Sequence, residues 1–366
     1  MSAVSSLSSF LQNITLVQNS QNQISKLTYQ VDTGNKSEDL QGYGNLANQL
    51  LNLQSAQSTE QNYVSNNTQT STFLTAYDTT LGQLSSDATK LVGSLDAFTV
   101  TDPNAVSRLK ALVNGLQTDV AATLNAQVGG RYLYGGTRYT TQPVGDLSNL
   151  PVPAIVPPVP PSTTPTVAPL VIATLPLPVP QTVPPTQPLP PYDTQAATVN
   201  APAVPTAAQL AQAQQSYGTQ TTTIANNQQA TYGISSNDPT FQHLVYALQC
   251  AQAAVGAAGA NQQAYIQQAA SEIQLALNGT PASPGVAAVT GLQGLQDANG
   301  TAETLVANAN KVHSQTLATL QSQITTITQV DPATVATELS AAQTQLEGSY
   351  KVVSSVLNET LLNYLK

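Results

Sequence analysis

Few side chains of this sequence are suited to catalysis or metal binding, and their spacing favours neither. The two histidines, His243 and His313, stand far apart, and no cluster of Cys, Asp or Glu accompanies them at ligand spacing. A metal site needs three or four convergent ligands, so we interpret both histidines as solvated or as part of a helix-bundle face. The single cysteine, Cys250, lies two helical turns after His243, but a nucleophile also needs an orienting third group and an oxyanion site. We therefore interpret Cys250 as a small, partly buried hydrophobe.

Two glycine pairs and one acidic pair are the remaining candidates for chemistry. Gly129-Gly130 and Gly135-Gly136 could form a phosphate loop, but the sequence has no Gly-Lys-Ser/Thr and no GxGxxG that opens a helix. Glu38 and Asp39 are adjacent, so they point apart in most backbones and make a poor acid/base pair. We expect no enzyme activity, no cofactor and no metal site.

The composition argues against several classes of partner. The net charge is -9, only 8% of the residues are charged, and no Lys or Arg occurs between Arg138 and Lys311. Nucleic-acid binding needs clustered basic residues, so we do not expect it. The first 17 residues lack a basic region and a continuous apolar stretch, which argues against a cleaved Sec signal peptide. No segment reaches the roughly 18–20 apolar residues of a membrane span.

Apolar residues repeat with helical spacing in both terminal parts of the chain. The first run alternates steps of three and four residues at Leu74, Tyr77, Leu81, Leu84, Ala88, Leu91 and Leu95. The second does so at Leu339, Ala342, Leu346, Ser349 and Val353, and then continues in steps of four at Leu357 and Leu361. A spacing of about 3.5 residues keeps one stripe of a helix against a partner helix. The two ends of the chain are therefore predicted to be halves of one helical bundle.

Turn residues divide the chain into further predicted elements. A first helix is expected to end at Asp32-Thr33-Gly34-Asn35, and a long second helix covers about 45–97. Asp102-Pro103, Asp238-Pro239 and Asp331-Pro332 each predict a new helix, because Asp caps helices well and Pro fits their first turn. Residues 131–137 are aromatic and glycine-rich, which predicts a strand that enters a turn. Helical periodicity is also assigned to 207–227 and 262–277.

A proline-rich run separates the two helical parts. Residues 151–191 contain 16 prolines, whose fixed φ and missing N–H exclude helix and central strand. Polyproline II or an extended chain is the physical default, and the interleaved Val, Leu and Thr could also lie along a neighbouring surface.

Four stretches of the chain carry a further signal. The first stretch is Gln23-Ile24-Ser25-Lys26-Leu27 with Thr33-Gly34-Asn35-Lys36 through Asp39; the second is Gly130-Arg131-Tyr132-Leu133-Tyr134-Gly135-Gly136-Thr137. The third is Tyr232-Gly233-Ile234-Ser235 with Asp238-Pro239-Thr240-Phe241; the fourth is Val330-Asp331 with Leu346, Tyr350 and Leu361-Leu362-Asn363-Tyr364-Leu365. Together they resemble the bacterial flagellin family, which includes the hook–filament junction protein, also called flagellar hook-associated protein 3. Their order, their spacing and their placement near the chain ends carry the resemblance, which covers roughly residues 1–140 and 230–366.

The resemblance implies a mainly α fold. The N- and C-terminal helices would form a long antiparallel coiled-coil bundle, and a small irregular α+β outer domain would carry the Pro-rich insertion. We place an N-terminal core segment at 1–128, the outer domain with the 151–191 insertion at 129–300, and a C-terminal core segment at 301–366. The implied protein is extracellular, belongs to the flagellum, and leaves the cell through the flagellar type III pathway without a cleaved signal peptide.

Self-assembly is the function that these features favour. Gln, Asn, Ser and Thr occupy the polar faces of the helices, and such faces pack against copies of themselves at low desolvation cost. The resemblance implies further partners, namely other flagellar axial proteins (hook, junction or filament subunits) and an export chaperone. The alternative is a secreted adhesin or carbohydrate-binding protein displayed on a helical stalk. The residues expected to pack the assembly core are Leu74, Leu81, Leu84, Leu91, Leu346, Val353, Leu357 and Leu361.

Overall fold

The computed structural model describes residues 2–136, 139–140, 142–148, 150, 152–156, 164–168, 170, 219–282 and 288–364, with the side chains of 2–10, 13 and 356–364 excepted. Helices dominate this part of the chain, so the prediction of a mainly α fold is confirmed. The α-helices are α1 (Ser2–Thr33), α2 (Ala47–Asp96), α3 (Ala105–Leu124), α4 (Pro239–Gly256), α5 (Gly259–Asn278), α6 (Gly291–Thr328) and α7 (Pro332–Tyr364), and a 3-10 helix covers Leu40–Leu46. Three antiparallel pairs of short strands are β1 (Gln127–Val128) with β2 (Arg131–Tyr132), β3 (Ile155–Val156) with β4 (Thr166–Val167), and β5 (Gln220–Ala225) with β6 (Gln228–Tyr232).

The described chain forms two compact units. Unit 1 comprises Met1–Asn62 and Val312–Lys366, and unit 2 comprises Tyr63–Lys311. The long helices α2 and α6 contribute residues to both. The predicted division at residues 128 and 300 follows family resemblance rather than packing, and it stays a prediction.

In unit 1, α1 and α7 pair in antiparallel orientation. Leu27 of α1 is buried with Val335 and Ala342 of α7. Backbone hydrogen bonds join the ends of the pair, since Lys36 donates to the carbonyl of Thr328 at 2.7 Å and Val330 donates to that of Gly34 at 3.0 Å. The predicted antiparallel pairing of the terminal helices is thus present, and α1 ends at the predicted Thr33-Gly34 boundary.

Unit 1 also contains the N-terminal part of α2 and the C-terminal part of α6, which pack against each other. Leu50 is buried with Ile324 and Ile327, and Gln57 donates from Nε2 to Oε1 of Gln321 at 2.6 Å. These contacts, like those of α1 and α7, involve only a few large apolar side chains.

Unit 2 has a larger and more continuous apolar core. Helices α2, α3, α4 and α5 meet there, and α4 packs along α5. Tyr134 lies at the centre, edge-on to Tyr77 at 5.4 Å and to Phe241 at 5.2 Å between ring centroids. Such T-shaped pairs stabilise a core beyond the area that they bury.

Acidic residues cap two of the helices as predicted. Asp238 accepts a hydrogen bond from the Thr240 N–H at the start of α4. Asp331 accepts a hydrogen bond from the Ala333 N–H and another from the Thr334 hydroxyl at the start of α7. The bonds from Thr334 and Ala333 hold the pKa of Asp331 below its ordinary value. Side-chain acceptors at these positions satisfy N–H groups that a helix start leaves unpaired.

The prediction at Asp102-Pro103 is wrong in detail. Helix α3 begins at Ala105, after Asn104, so Asp102 is not its capping residue. Asp102 instead accepts from the Asn104 N–H and from Arg108, which closes the turn before the helix. The helix ends at Leu124, and β1 follows at Gln127.

The prediction of a helix at 207–227 is wrong for the residues that the structure describes. Residues 220–232 form the β5–β6 hairpin, and Asn227 turns the chain with φ of 59°. Threonine and other β-favouring residues occupy both strands, and Asn tolerates the left-handed conformation that a tight hairpin turn requires. Residues 207–218 lie outside the described residues.

Candidate functional site

A buried polar cluster connects α4 with α5 in unit 2. Nδ1 of His243 shares a hydrogen bond with Oε2 of Glu272, and both side chains are buried. Gln268 donates to the other carboxylate oxygen of Glu272 at 2.6 Å. Tyr246 donates its hydroxyl to the carbonyl of Ala168 and also lies beside Cys250. Nε2 of His243 is buried and has no hydrogen-bond partner among the described residues.

This cluster does not make Cys250 a nucleophile. Burial raises the pKa of the thiol to about 12, and the negative charge of Glu272 acts in the same direction. The side chain is fully buried, and a thiol must become a thiolate to attack a substrate. Cys250 is therefore a core residue, more deeply buried than the sequence indicated.

His313 forms a matching pair in unit 1. Its Nδ1 shares a hydrogen bond with Oε2 of Glu60, which lies on α2. Each histidine thus joins two helices, so the bundle-face interpretation is right and the solvated one is wrong. The described residues contain no group of three His, Cys, Asp or Glu side chains that could hold a metal ion.

The described start of the Pro-rich insertion is held against the same two helices. The β3–β4 hairpin closes with a bond from Ala168 to the Ala154 carbonyl. Tyr265 donates to the Pro153 carbonyl at 2.6 Å, while Tyr246 holds Ala168. Ile155 and Val167, two of the interleaved apolar residues, therefore pack in this chain's own core. Residues 157–163 and 171–191 of the run lie outside the described residues.

The predicted assembly residues fall into three groups. Leu74, Leu81, Leu84 and Leu91 are fully buried within unit 2, so packing inside the chain already covers them. Leu346 and Val353 of α7 are half-buried in unit 1. The side chains of Leu357 and Leu361 lie outside the described part of the chain. A role of these residues in contacts between copies stays a prediction.

Unit 1 instead exposes large apolar side chains at separate positions along α1 and α7. We call the following residues the terminal apolar surface: Leu11, Leu16 and Val31 of α1, with Tyr350 and Val352 of α7. Leu16 is 57% exposed and Val352 is 54% exposed, although both are large and apolar. The three-four spacing of α7 identified its side of the seam but missed Tyr350 and Val352, because both lie beside that stripe.

Few charges occur on α1, whereas Lys351 of α7 lies between Tyr350 and Val352. Among the 32 residues of α1, the charged ones are Lys26 and Asp32. Repulsion between copies of such a helix is weak, and little charge has to be desolvated when its surface is covered.

Unit 2 contains a cavity of about 480 Å³. Its walls come from α2, from β6 and the segment that follows it, and from α6. The apolar part of the lining consists of Leu74, Tyr232, Ile234, Leu295, Ala298 and Ala302. The charged lining residue is Asp238, whose carboxylate is engaged at the start of α4.

The four stretches that carry the family resemblance meet in pairs. Gly135 forms a β-bridge with Ser235, and Ser236 donates to the Tyr134 carbonyl at 2.8 Å, which joins the second stretch to the third. Asn35 forms a β-bridge with Gln329, next to the Val330–Gly34 bond, which joins the first stretch to the fourth. Their separation along the chain conceals this pairing.

Comparisons with known proteins find a distant structural similarity. No protein-family model matches the sequence, and no curated protein matches it. Among solved structures, the chain is similar to a protein from Vibrio parahaemolyticus that is provisionally named a flagellar hook-associated protein. The similarity has a TM-score of 0.46 and 11% identity, and it covers 76% of this chain and 95% of the other. At this level it is no evidence of a shared function.

No helix among the described residues combines the length and apolar character that crossing a membrane would require.

Proposed function

We propose that this protein is a structural, non-enzymatic subunit of the bacterial flagellum that self-assembles through α1 and α7. The terminal apolar surface is the observation that carries this proposal. Its large apolar side chains are exposed to solvent, and they belong to two helices that bury few other apolar side chains. Burying a Leu-sized side chain stabilises an assembly by about 1.5–3 kcal/mol.

The flagellar part of the proposal rests on the sequence resemblance. The pairing of its four stretches supports it, because motifs that serve one fold are expected to contact each other. The glycine-aromatic turn at 130–136 favours a junction-type subunit over a filament flagellin. The proposed partners are further copies, other flagellar axial proteins and an export chaperone, and the proposed location is extracellular after type III export.

Substitutions on the terminal apolar surface test the assembly mechanism. Leu16→Gln combined with Val352→Thr removes apolar area from two exposed positions, so folding should be unaffected. We expect at least about a tenfold rise in the concentration needed for assembly, measured by analytical ultracentrifugation, because 1.4 kcal/mol corresponds to a factor of ten.

Val100→Thr is the matched control. Val100 is 61% exposed in unit 2, so this change replaces a methyl group by a hydroxyl, as Val352→Thr does, on a surface outside α1 and α7. Assembly of the control should equal that of the unaltered chain. A truncation after about residue 340 should stay soluble and fail to assemble. Filaments from that truncation, or unaltered assembly of the double variant, would contradict the mechanism.

Electron microscopy of labelled cells tests the flagellar assignment separately. Label along the filament would identify a filament subunit, and label confined to the filament base would identify a junction subunit. Label elsewhere on the cell surface, with normal motility after gene deletion, would overturn the assignment.

A further inference from the structure

We propose that the unit 2 cavity between α2, β6 and α6 binds a neutral sugar residue. The lining of this cavity comes from a single copy of the chain. The inference is therefore independent of the proposed self-assembly and adds a binding function to it.

Asn299 is the side chain that points to a ligand. It lines the cavity and is only 6% exposed. Its Nδ2 donates to the carbonyl of Leu74 at 2.9 Å, which orients the amide group. Its Oδ1 receives no hydrogen bond from the described residues, yet that oxygen is not sealed inside the core. An acceptor that loses water without gaining a donor is costly, so a ligand that fills the cavity has to donate a hydrogen bond to Asn299.

The charge of the lining decides against an acidic ligand. Asp238 lies in the lining, where its Oδ1 accepts from the Thr240 N–H at 2.8 Å. The described residues of the lining include no Lys, Arg or His. A carboxylate or phosphate that entered the cavity would lose its hydration beside a like charge and would find no cation there. The matching ligand is therefore uncharged and carries hydrogen-bond donors.

The remaining lining is part polar and part apolar. Thr219, Thr231 and Ser235 carry hydroxyl groups, which both donate and accept hydrogen bonds. Leu295 and Ala302 contribute apolar surface. The volume of about 480 Å³ lies within the range of roughly 300–1,000 Å³ that is typical of ligand pockets.

A sugar ring has this same combination of groups, because its hydroxyls lie around the rim and its C–H groups cover the two faces. The hydroxyls can donate to Asn299 and Asp238 while the C–H faces contact Leu295 and Ala302. A wholly apolar ligand would satisfy the apolar walls but would leave the oxygen of Asn299 without a donor. The mixed lining thus favours a neutral sugar over both a lipid tail and an acidic metabolite.

Ligand-observed NMR with the full-length chain tests the assignment. The probes are glucose, galactose, mannose and N-acetylglucosamine, together with their methyl glycosides and the corresponding uronic acids. We expect saturable binding of at least one neutral sugar and at least about tenfold weaker binding of its uronic acid. Equal binding of the methyl glycoside would indicate the end of a glycan chain as the source, and loss of binding on methylation would indicate the free sugar.

Two substitutions in the lining locate the site. Ala298 is exposed at the edge of the cavity, so Ala298→Phe should obstruct entry and weaken binding at least about tenfold. Ala307→Phe is the matched control, because Ala307 is an exposed alanine of the same helix outside the lining. It should leave binding unchanged. Asn299→Leu keeps the approximate shape but removes the amide, and it should weaken binding at least about fivefold.

Thermal unfolding shows whether each variant is folded, and Ala298→Phe decides the question if Asn299→Leu does not fold. Full binding by Ala298→Phe would place the sugar elsewhere and overturn the assignment. Tighter binding of the uronic acid, or of glucosamine, than of the neutral sugar would show that charge selects the ligand and would also overturn it. The inference fails equally if none of the neutral sugars binds at millimolar concentration.

Discussion

Buried titratable side chains in unit 2 are held in their neutral forms. Burial raises the pKa of Tyr77 to about 12 and that of Cys250 to about 12, and it raises the pKa of Tyr134 further. Tyr77 and Tyr134 are two of the packed rings of the core, and Cys250 belongs to the same core. The folded unit therefore retains protons that the unfolded chain releases at lower pH.

The free energy of unfolding should fall as the pH rises from about 9 to about 12. The unfolded thiol ionises near its ordinary value of 9.0, whereas the folded thiol keeps its proton until about pH 12. Each such group lowers stability by up to about 1.4 kcal/mol per pH unit in that window. Urea unfolding at several pH values measures the decline, and Cys250→Ala should make it shallower. Parallel pH profiles of the two proteins would contradict the assignment.

The sequence predicted whether a single residue is buried or catalytic better than it predicted which residues that side chain contacts. The sequence pointed to a core cysteine, which the structure has, but it did so because no orienting group was recognised beside His243, and the structure places Glu272 there. The Glu partners of the histidines could not be predicted, because Glu272 and Glu60 lie on other helices. Pairs of that kind depend on how helices pack, and helical periodicity carries no such information.

At the scale of elements, helices with strong periodicity and a side-chain cap were predictable. The ends of α1 and α2 and the starts of α4 and α7 agree with the sequence within about two residues. The β5–β6 hairpin was not recognised, because its polar residues and alanines also fit a helix face. Its signal was local: four consecutive positions, 221–224, are Thr or Ile, and Asn226-Asn227 follows one residue later. β-branched residues before an Asn turn favour a hairpin.

The connection between α5 and α6 depends on two glycines in close contact. A Cβ on Gly279 would lie 2.3 Å from the Val289 carbonyl oxygen, and one on Gly291 would lie 2.3 Å from the Gly279 nitrogen. Both glycines also have positive φ, 70° and 75°, which side chains disfavour.

Gly279→Ala and Gly291→Ala should each destabilise unit 2 by about 2 kcal/mol or more, through strain and backbone displacement. Gly300→Ala is the control, because a Cβ there meets nothing within 4 Å and the residue lies inside α6. That variant should be neutral or stabilised by up to about 1 kcal/mol. Thermal unfolding of the three variants measures the difference. Equal stability of all three variants would show that the close backbone contacts at Gly279 and Gly291 do not affect the free energy of unfolding.

At the scale of the whole molecule, the two units differ in how much they bury. The core of unit 2 is continuous and includes aromatic rings, whereas the α1–α7 pair buries Leu27, Val335 and Ala342 with a few half-buried neighbours. The sequence indicated the helical ends but not this contrast. Leu74, Leu81, Leu84 and Leu91 repeat as regularly as the residues of α7, and only packing shows that unit 2 already covers them.

Hydrogen exchange should follow this contrast. In the monomer, amides of α1 and α7 should exchange faster than those of α4 and α5, because local opening of the terminal pair exposes little apolar surface. Assembly should protect α1 and α7 and leave α4 and α5 unchanged, since binding stabilises the elements that contact the partner. Mass spectrometry of peptides from dilute and assembled samples measures both effects. Equal protection of all four helices in the monomer would remove the energetic basis for assembly through the terminal helices.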